Sequence, residues 1–168
     1  MDRKLMRTHT CGELRGENAG QSVLLNGWVD ALRDHGGVVF LELRDRYGSI
    51  QVTVDPESHP EVFDLHPEYV VAVAGRVNLR PEKDQNPDRP TGEIDVLAEQ
   101  LHVLNTSKVP PFEVVDDVNA REETRLEYRY VDLRRRRVLE ALLLRSRMNH
   151  VIRTSFVDQD FVEVETPV

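Results

Sequence analysis

Val38-Val39-Phe40-Leu41-Glu42-Leu43-Arg44-Asp45-Arg46-Tyr47-Gly48-Ser49-Ile50-Gln51-Val52-Thr53-Val54 is the stretch that decides the fold. Side chains of a strand point alternately to its two faces, so Val39, Leu41 and Leu43 share one face and Val38, Phe40, Glu42 and Arg44 the other. Asp45-Arg46-Tyr47-Gly48 predicts a turn, with Gly48 free to take positive φ. The chain then returns with Ile50, Val52 and Val54 inward and Gln51 and Thr53 outward. Pairing the two strands about that turn sets Phe40 and Gln51 on one outer face.

The same period extends in both directions. Val23, Leu25, Gly27, Val29 and Ala31 are expected on one face of an earlier strand. Val62, Phe63 and Leu65, between Pro60 and Pro67, suit a short helical plug. A fourth strand is expected over about Tyr69 to Leu79 and a fifth over about Gly92 to Leu104. Arg80 to Thr91 forms a polar loop between them, with three prolines. Five strands with a short helix between the third and fourth are the order of an OB-fold barrel, expected over residues 1–107. Residues 5–18 read as a short helix or an extended arm.

Paired prolines in Lys108-Val109-Pro110-Pro111-Phe112 open a linker or hinge over residues 108–134. Asn119-Ala120-Arg121-Glu122 fits a capping box ahead of a short helix. From about Leu133 to Asp158 the chain lacks Gly and Pro and reads as a long helix. Its apolar residues cover more than one narrow stripe, so it expects further protein around it. Asp160 to Val168 reads as a helix end and then a half-buried strand that needs a neighbour. The chain is therefore expected to be the front part of a larger protein. The fold class is mainly β with a helical C-terminal segment.

Composition excludes several functions. With 39% apolar and 31% charged residues the chain is an ordinary globular one. No apolar run approaches the roughly 20 residues of a membrane span, and Met1–Met6 lacks a secretory leader's apolar core. The single cysteine, Cys11, excludes an internal disulfide and reads as a small apolar filler. A cytoplasmic location without a membrane partner is expected. The six histidines lack metal-ligand spacing, no phosphate-cradling glycine loop is present, and Glu163 and Glu165 have no nucleophile beside them. No catalytic or metal-binding residue is assigned.

The net charge of −8 is unevenly placed. Residues 1–120 carry 12 Lys/Arg against 21 Asp/Glu, whereas residues 121–153 carry 10 against 5, which suggests two units with different partners. The run Arg134–Arg137 could grip phosphates, but reads more readily as a solvated or ion-paired face. An acidic total still permits local RNA recognition by stacking and base-edge contacts. Phe40 on the outer face could stack on an unpaired base while Gln51 reads its edge and Arg33 bonds a phosphate or base. The alternative is that Phe40 covers a seam and Gln51 is merely solvated.

Ordered motifs then carry a resemblance. Asn26-Gly27-Trp28-Val29, Arg33-Asp34-His35-Gly36-Gly37, Phe40-Leu41-Glu42-Leu43-Arg44-Asp45 and Ile50-Gln51-Val52 resemble the anticodon-binding domain of class IIb aminoacyl-tRNA synthetases. Thr91-Gly92-Glu93-Ile94-Asp95-Val96 and Arg125 to Arg135 are similar to the bacterial-type aspartyl branch. Phe161-Val162-Glu163-Val164-Glu165-Thr166-Pro167 resembles motif 1 of the class II catalytic domain, whose start is expected over residues 135–168. The resemblance implies that Phe40 stacks on the central anticodon base, a uracil, and that Gln51 hydrogen-bonds it. Arg33, Arg80 and Asp95 fall at further anticodon-contact positions; Asp95 stands where the family usually has the longer glutamate.

It also implies that the long helix and motif 1, with Phe161 and Pro167, form a homodimer interface. ATP and magnesium would serve the full-length enzyme, whose motifs 2 and 3 are not among these residues. The 168 residues alone are expected neither to activate aspartate nor to charge tRNA. The implied partner is the tRNA(Asp) anticodon stem-loop. His35, beside Arg33, could relax reading of the third anticodon base and admit tRNA(Asn). Ala31 and Leu32 replace the arginines common in the family, and Asp160 replaces a glycine, a residue type that tolerates a left-handed helix end. Two alternatives stand beside this reading: a free-standing OB-fold RNA-binding module, or the anticodon domain of an asparaginyl- or lysyl-tRNA synthetase.

Overall fold

A computed structural model describes residues 5–167. The reading of Met1–Met6 falls mostly outside that range, as does Val168 at the end of the expected last strand. The chain divides into two compact units, Met1–Val109 and Pro110–Val168.

The first unit is a closed five-stranded barrel of β1 (Ser22–Asp34), β2 (Val39–Arg44), β3 (Ser49–Val54), β4 (Val70–Leu79) and β5 (Ile94–Asn105), ordered β1-β2-β3-β5-β4. All neighbours are antiparallel except β3 and β5, which run parallel. The inward set fills the barrel: Val23, Leu25, Val29, Leu41, Leu43, Ile50, Val52, Val54, Val73 and Ile94 are buried. A 3-10 turn at Pro60–Asp64 inserts Val62, and Leu65 follows, as the plug between β3 and β4. Phe63 was expected to share that burial but is largely exposed, because the short turn aims only one flank inward. Residues 5–18 run as an irregular arm ending in a 3-10 turn at Gly16–Asn18. Cys11 is fully buried, and burial, reinforced by the Asp45 charge, pushes its thiol pKa far up.

One departure in β1 matters for the site. Val29 pairs with Leu43, but Ala31, not Asp30, pairs with Glu42. Asp30 is the extra residue of a β-bulge, and every side chain beyond it changes face. Ala31, expected inward, therefore lies on the outer side, while Leu32 turns to the core.

The second unit holds α1 (Glu122–Glu127), α2 (Arg129–Asp132) and α3 (Arg136–Val157). The expected capping box at Asn119 does not form. The residue before α1 is Arg121, with no side-chain cap, because the chain stays extended through it. Asp132 is buried and accepts from Arg135 Nε at 2.7 Å and Arg129 Nη1 at 2.5 Å, and Arg136 pairs with Glu140 at 2.9 Å. Arg135 and Arg136 in the Arg134–Arg137 run are thus ion-paired. Among the described residues α3 buries none of its side chains.

The expected strand after α3 is absent among the described residues. Phe161–Pro167 is an exposed segment with no strand partner, since a ladder needs a second chain segment to pair with. It is held to α3 by Arg153 with Glu163 (3.0 Å) and by the Phe156 and Phe161 rings, 5.4 Å apart edge to face.

Candidate nucleic-acid interface

The hairpin register builds the outer face. Phe40 pairs with Thr53 and Glu42 with Gln51, so all four side chains project from the same side of β2 and β3. The bulge in β1 completes it. Strict alternation would send Arg33 inward with Val29, but after the extra residue it stands opposite Phe40 on the outer side. Phe40 and Gln51 are half-buried, which leaves a ring and an amide accessible. His35, in the β1–β2 turn, sets its ring edge-on to Phe40, with centroids 5.2 Å apart at 64°. Such a contact fixes the aromatic plane without covering both of its faces.

Beyond β3 the face continues onto the first residues of β5. Asp95 pairs with Asn78 and lies on the outer side, between the core residues Ile94 and Val96. Asp95 is 6% exposed, and both its carboxylate oxygens are engaged: Thr53 Oγ1 donates to Oδ2 at 2.5 Å and Asn78 Nδ2 donates to Oδ1 at 3.0 Å. That arrangement suits Asp95 to locking Thr53 beside Phe40 rather than to reaching out for a ligand.

Arg80 begins the loop after β4. Its backbone N–H donates to Glu93 O at 2.8 Å, and its guanidinium touches only Gly92 O, at 3.4 Å, among the bonds of the described residues. The loop closes tightly on itself: Asn86 N–H donates to Gly92 O at 3.0 Å, and a Cβ on residue 92 would meet Asn86 O at 1.8 Å. Glycine is required there by close backbone approach. Thr91 Oγ1 donates to Ser49 O at 2.7 Å, and Arg89 Nη1 to Glu42 Oε2 at 2.6 Å, so the loop is pinned to β3 and β2.

Arg33, His35, Phe40, Gln51 and Asp95 are therefore placed on one continuous face, with Arg80 at the foot of the loop beside it. Phe161 and Pro167 belong to the other unit. Glu42, Arg89, Thr53 and Asn78 were not singled out from sequence. The hairpin register could have found Glu42 opposite Gln51; nothing local signals that Arg89 reaches back to it across a loop.

Among the described residues no three His, Cys, Asp or Glu side chains converge as a metal site requires. No residue of this chain is assigned to magnesium or to a nucleotide. Nor is any helix among them long and apolar enough to cross a membrane.

Both parts of the chain match known families. Residues 23–104 match the family model of the OB-fold nucleic acid binding domain, and residues 121–168 that of tRNA synthetases class II (D, K and N). A protein of Rubrobacter xylanophilus named Aspartate--tRNA(Asp/Asn) ligase is 54% identical over 96% of this chain, which spans 28% of that relative's length. The solved aspartyl tRNA synthetase from Entamoeba histolytica shares the fold, with a TM-score of 0.85 at 21% identity over 99% of this chain and 40% of its own. Asparaginyl-tRNA synthetase from Pyrococcus horikoshii superposes with a TM-score of 0.77 at 25% identity, over 98% of this chain and 38% of that one. With an OB-fold barrel followed by the opening of a class II synthetase domain, the chain belongs to the bacterial-type aspartyl-tRNA synthetase family.

Proposed function

We propose that this chain reads the anticodon for an aspartate–tRNA ligase. The barrel, residues 1–107, binds the anticodon stem-loop of tRNA(Asp), residues 108–134 act as hinge, and residues 135–168 open the catalytic domain. The observation that carries this reading is the half-buried Phe40, braced edge-on by His35 and flanked in register by Arg33 on one side and Thr53 on the other. A braced ring with one accessible face is a stacking platform for an unpaired base, and Gln51 supplies both donor and acceptor for a uracil edge. Arg33 and Arg80 hold phosphate or base oxygens. His35 stands where it meets the third anticodon base, and a ring that can either donate or accept there tolerates C or U, so that tRNA(Asn) is also bound.

Phe161 and Pro167, with the exposed apolar side chains of α3, pair two copies of the enzyme. In the cytoplasm the complete protein uses ATP and magnesium to activate aspartate. Those steps draw on residues outside these 168.

Titration of anticodon stem-loops against the chain and Phe40→Ala tests the reading. Uracil at the central position should bind more tightly than cytosine, and loss of the ring should cost ~1–3 kcal/mol. Loops differing only as C or U at the third position should bind alike. Binding indifferent to the central base, or unchanged in Phe40→Ala, would sink the assignment.

A further inference from the structure

We propose that Glu42 is a positioning residue of this face, holding Arg89 and Arg33 around Phe40 and Gln51 so that binding depends on the base rather than on phosphate charge alone. The inference rests on the reading of the face as an anticodon site.

Glu42 is on the outer side of β2, two residues from Phe40 and directly across from Gln51, yet its side chain is only 4% exposed. A carboxylate on an outer sheet face is ordinarily solvated, and covering one is costly unless it is paired. Its Oε2 accepts from Arg89 Nη1 at 2.6 Å, and Arg33 Nη2 lies 3.9 Å from the same oxygen. Oε1 is buried and has no hydrogen-bond partner among the described residues. One carboxylate thus faces two guanidinium groups that approach from opposite sides, β1 and the loop after β4, and has acceptor capacity left for the nearer movement of Arg33. That side chain is 57% exposed and long enough to turn onto Oε1.

Two consequences follow from the chemistry. The Arg89 bond, with that of Thr91 to Ser49 O two residues later, pins the C-terminal part of the 80–92 loop and so fixes the rim beside Gln51. A negative charge at the centre of the face also offsets part of the charge of Arg33 and Arg89, so that Arg33 can meet an anticodon oxygen without the pair gripping every phosphate indiscriminately. Recognition is then left to the ring and the amide, which read bases.

Stem-loops with uracil or cytosine at the central position, titrated against the 168-residue chain over a range of salt, test this with Glu42→Gln and Arg89→Ala. Glu42→Gln keeps the shape and removes the charge. The uracil preference should fall roughly tenfold, the scale of one lost charge-assisted bond. The salt dependence should steepen, by ~0.7 in log–log slope for each single-strand phosphate the released arginines engage. Arg89→Ala should lose the same preference without steepening, and the double variant should lose no more than either single one. Equal weakening toward both loops with an unchanged salt slope would overturn the proposal, leaving Glu42 a packing residue.

If Glu42→Gln does not fold, as a thermal melt would reveal, Arg89→Ala decides, since Arg89 is half-exposed on a loop. Preference intact in that variant is an overturning result. A wild-type chain with no uracil preference defeats the anticodon reading itself. A wild-type preference that survives both substitutions defeats only the role of Glu42.

Discussion

Asp45 shows how much one carboxylate can organise. Its Oδ1 accepts from the backbone N–H groups of Tyr47 (2.7 Å) and Gly48 (3.1 Å), closing the β2–β3 turn, while Oδ2 accepts from Cys11 N–H at 3.0 Å and ties the N-terminal arm to the barrel. The side chain is buried, so replacing it strands the Cys11 N–H away from water and leaves the part-buried Tyr47 and Gly48 N–H groups without their acceptor. Asp45→Ala should lower barrel stability by ~3 kcal/mol, read as the denaturant midpoint of the single Trp28. Asp45→Asn should cost less, because the amide oxygen still closes the turn and only the Cys11 bond is lost, its N–H then facing the amide NH2 group. An alanine variant within ~0.5 kcal/mol of wild type would show the turn to be held by other means. The turn was legible in Asp45-Arg46-Tyr47-Gly48, because acceptor and glycine sit at fixed local spacing. The clamp on Cys11 was not, since it joins residues 34 positions apart, and the Arg89–Glu42 bond was hidden for the same reason.

At the level of elements, strands were readable wherever apolar and polar residues strictly alternate, as in β2 and β3. The bulge in β1 was not readable: Ala31 and Leu32 are both apolar, so either parity satisfies the pattern there. That small ambiguity carried Arg33 to the functional face. The start of α1 was misread because Asn119 has a capping side chain but the backbone two residues later is still extended.

The end of α3 was legible. Asp160 takes φ 64°, Phe161 N–H donates to Phe156 O at 3.1 Å and Asp160 N–H to Val157 O at 3.0 Å. With the Phe156–Phe161 ring contact this is a Schellman motif and its accompanying apolar pair. Left-handed backbone penalises any residue with a Cβ, so Asp160→Gly should relieve part of it and stabilise the helix end by ~0.5–1 kcal/mol. Slower amide exchange at Phe161 would register the gain; faster exchange would mean that the aspartate side chain itself supports the turn.

On the scale of the whole chain the two units hold together by different means. The barrel has a closed sheet and a continuous set of buried aliphatic side chains, so opening one strand exposes the rest. In α3 no side chain is buried among the described residues, and Leu142, Leu144, Met148, Val151, Ile152 and Phe156 are exposed. An isolated helix of that length is marginal in water, because it lacks the apolar burial that offsets chain entropy. In dilute 168-residue chain, amides of α3 should exchange through local opening at least ~2 kcal/mol easier than the global opening that limits the barrel strands. Equal protection in both units would contradict this. The proposed pairing of two copies adds a second expectation, because association stabilises only the surface it covers. Raising the protein concentration should slow exchange along α3 and around Phe161 while leaving β1–β5 unchanged. Protection of α3 independent of concentration would remove the pairing role from Phe161 and Pro167, and the anticodon face on the barrel would be untouched by that result.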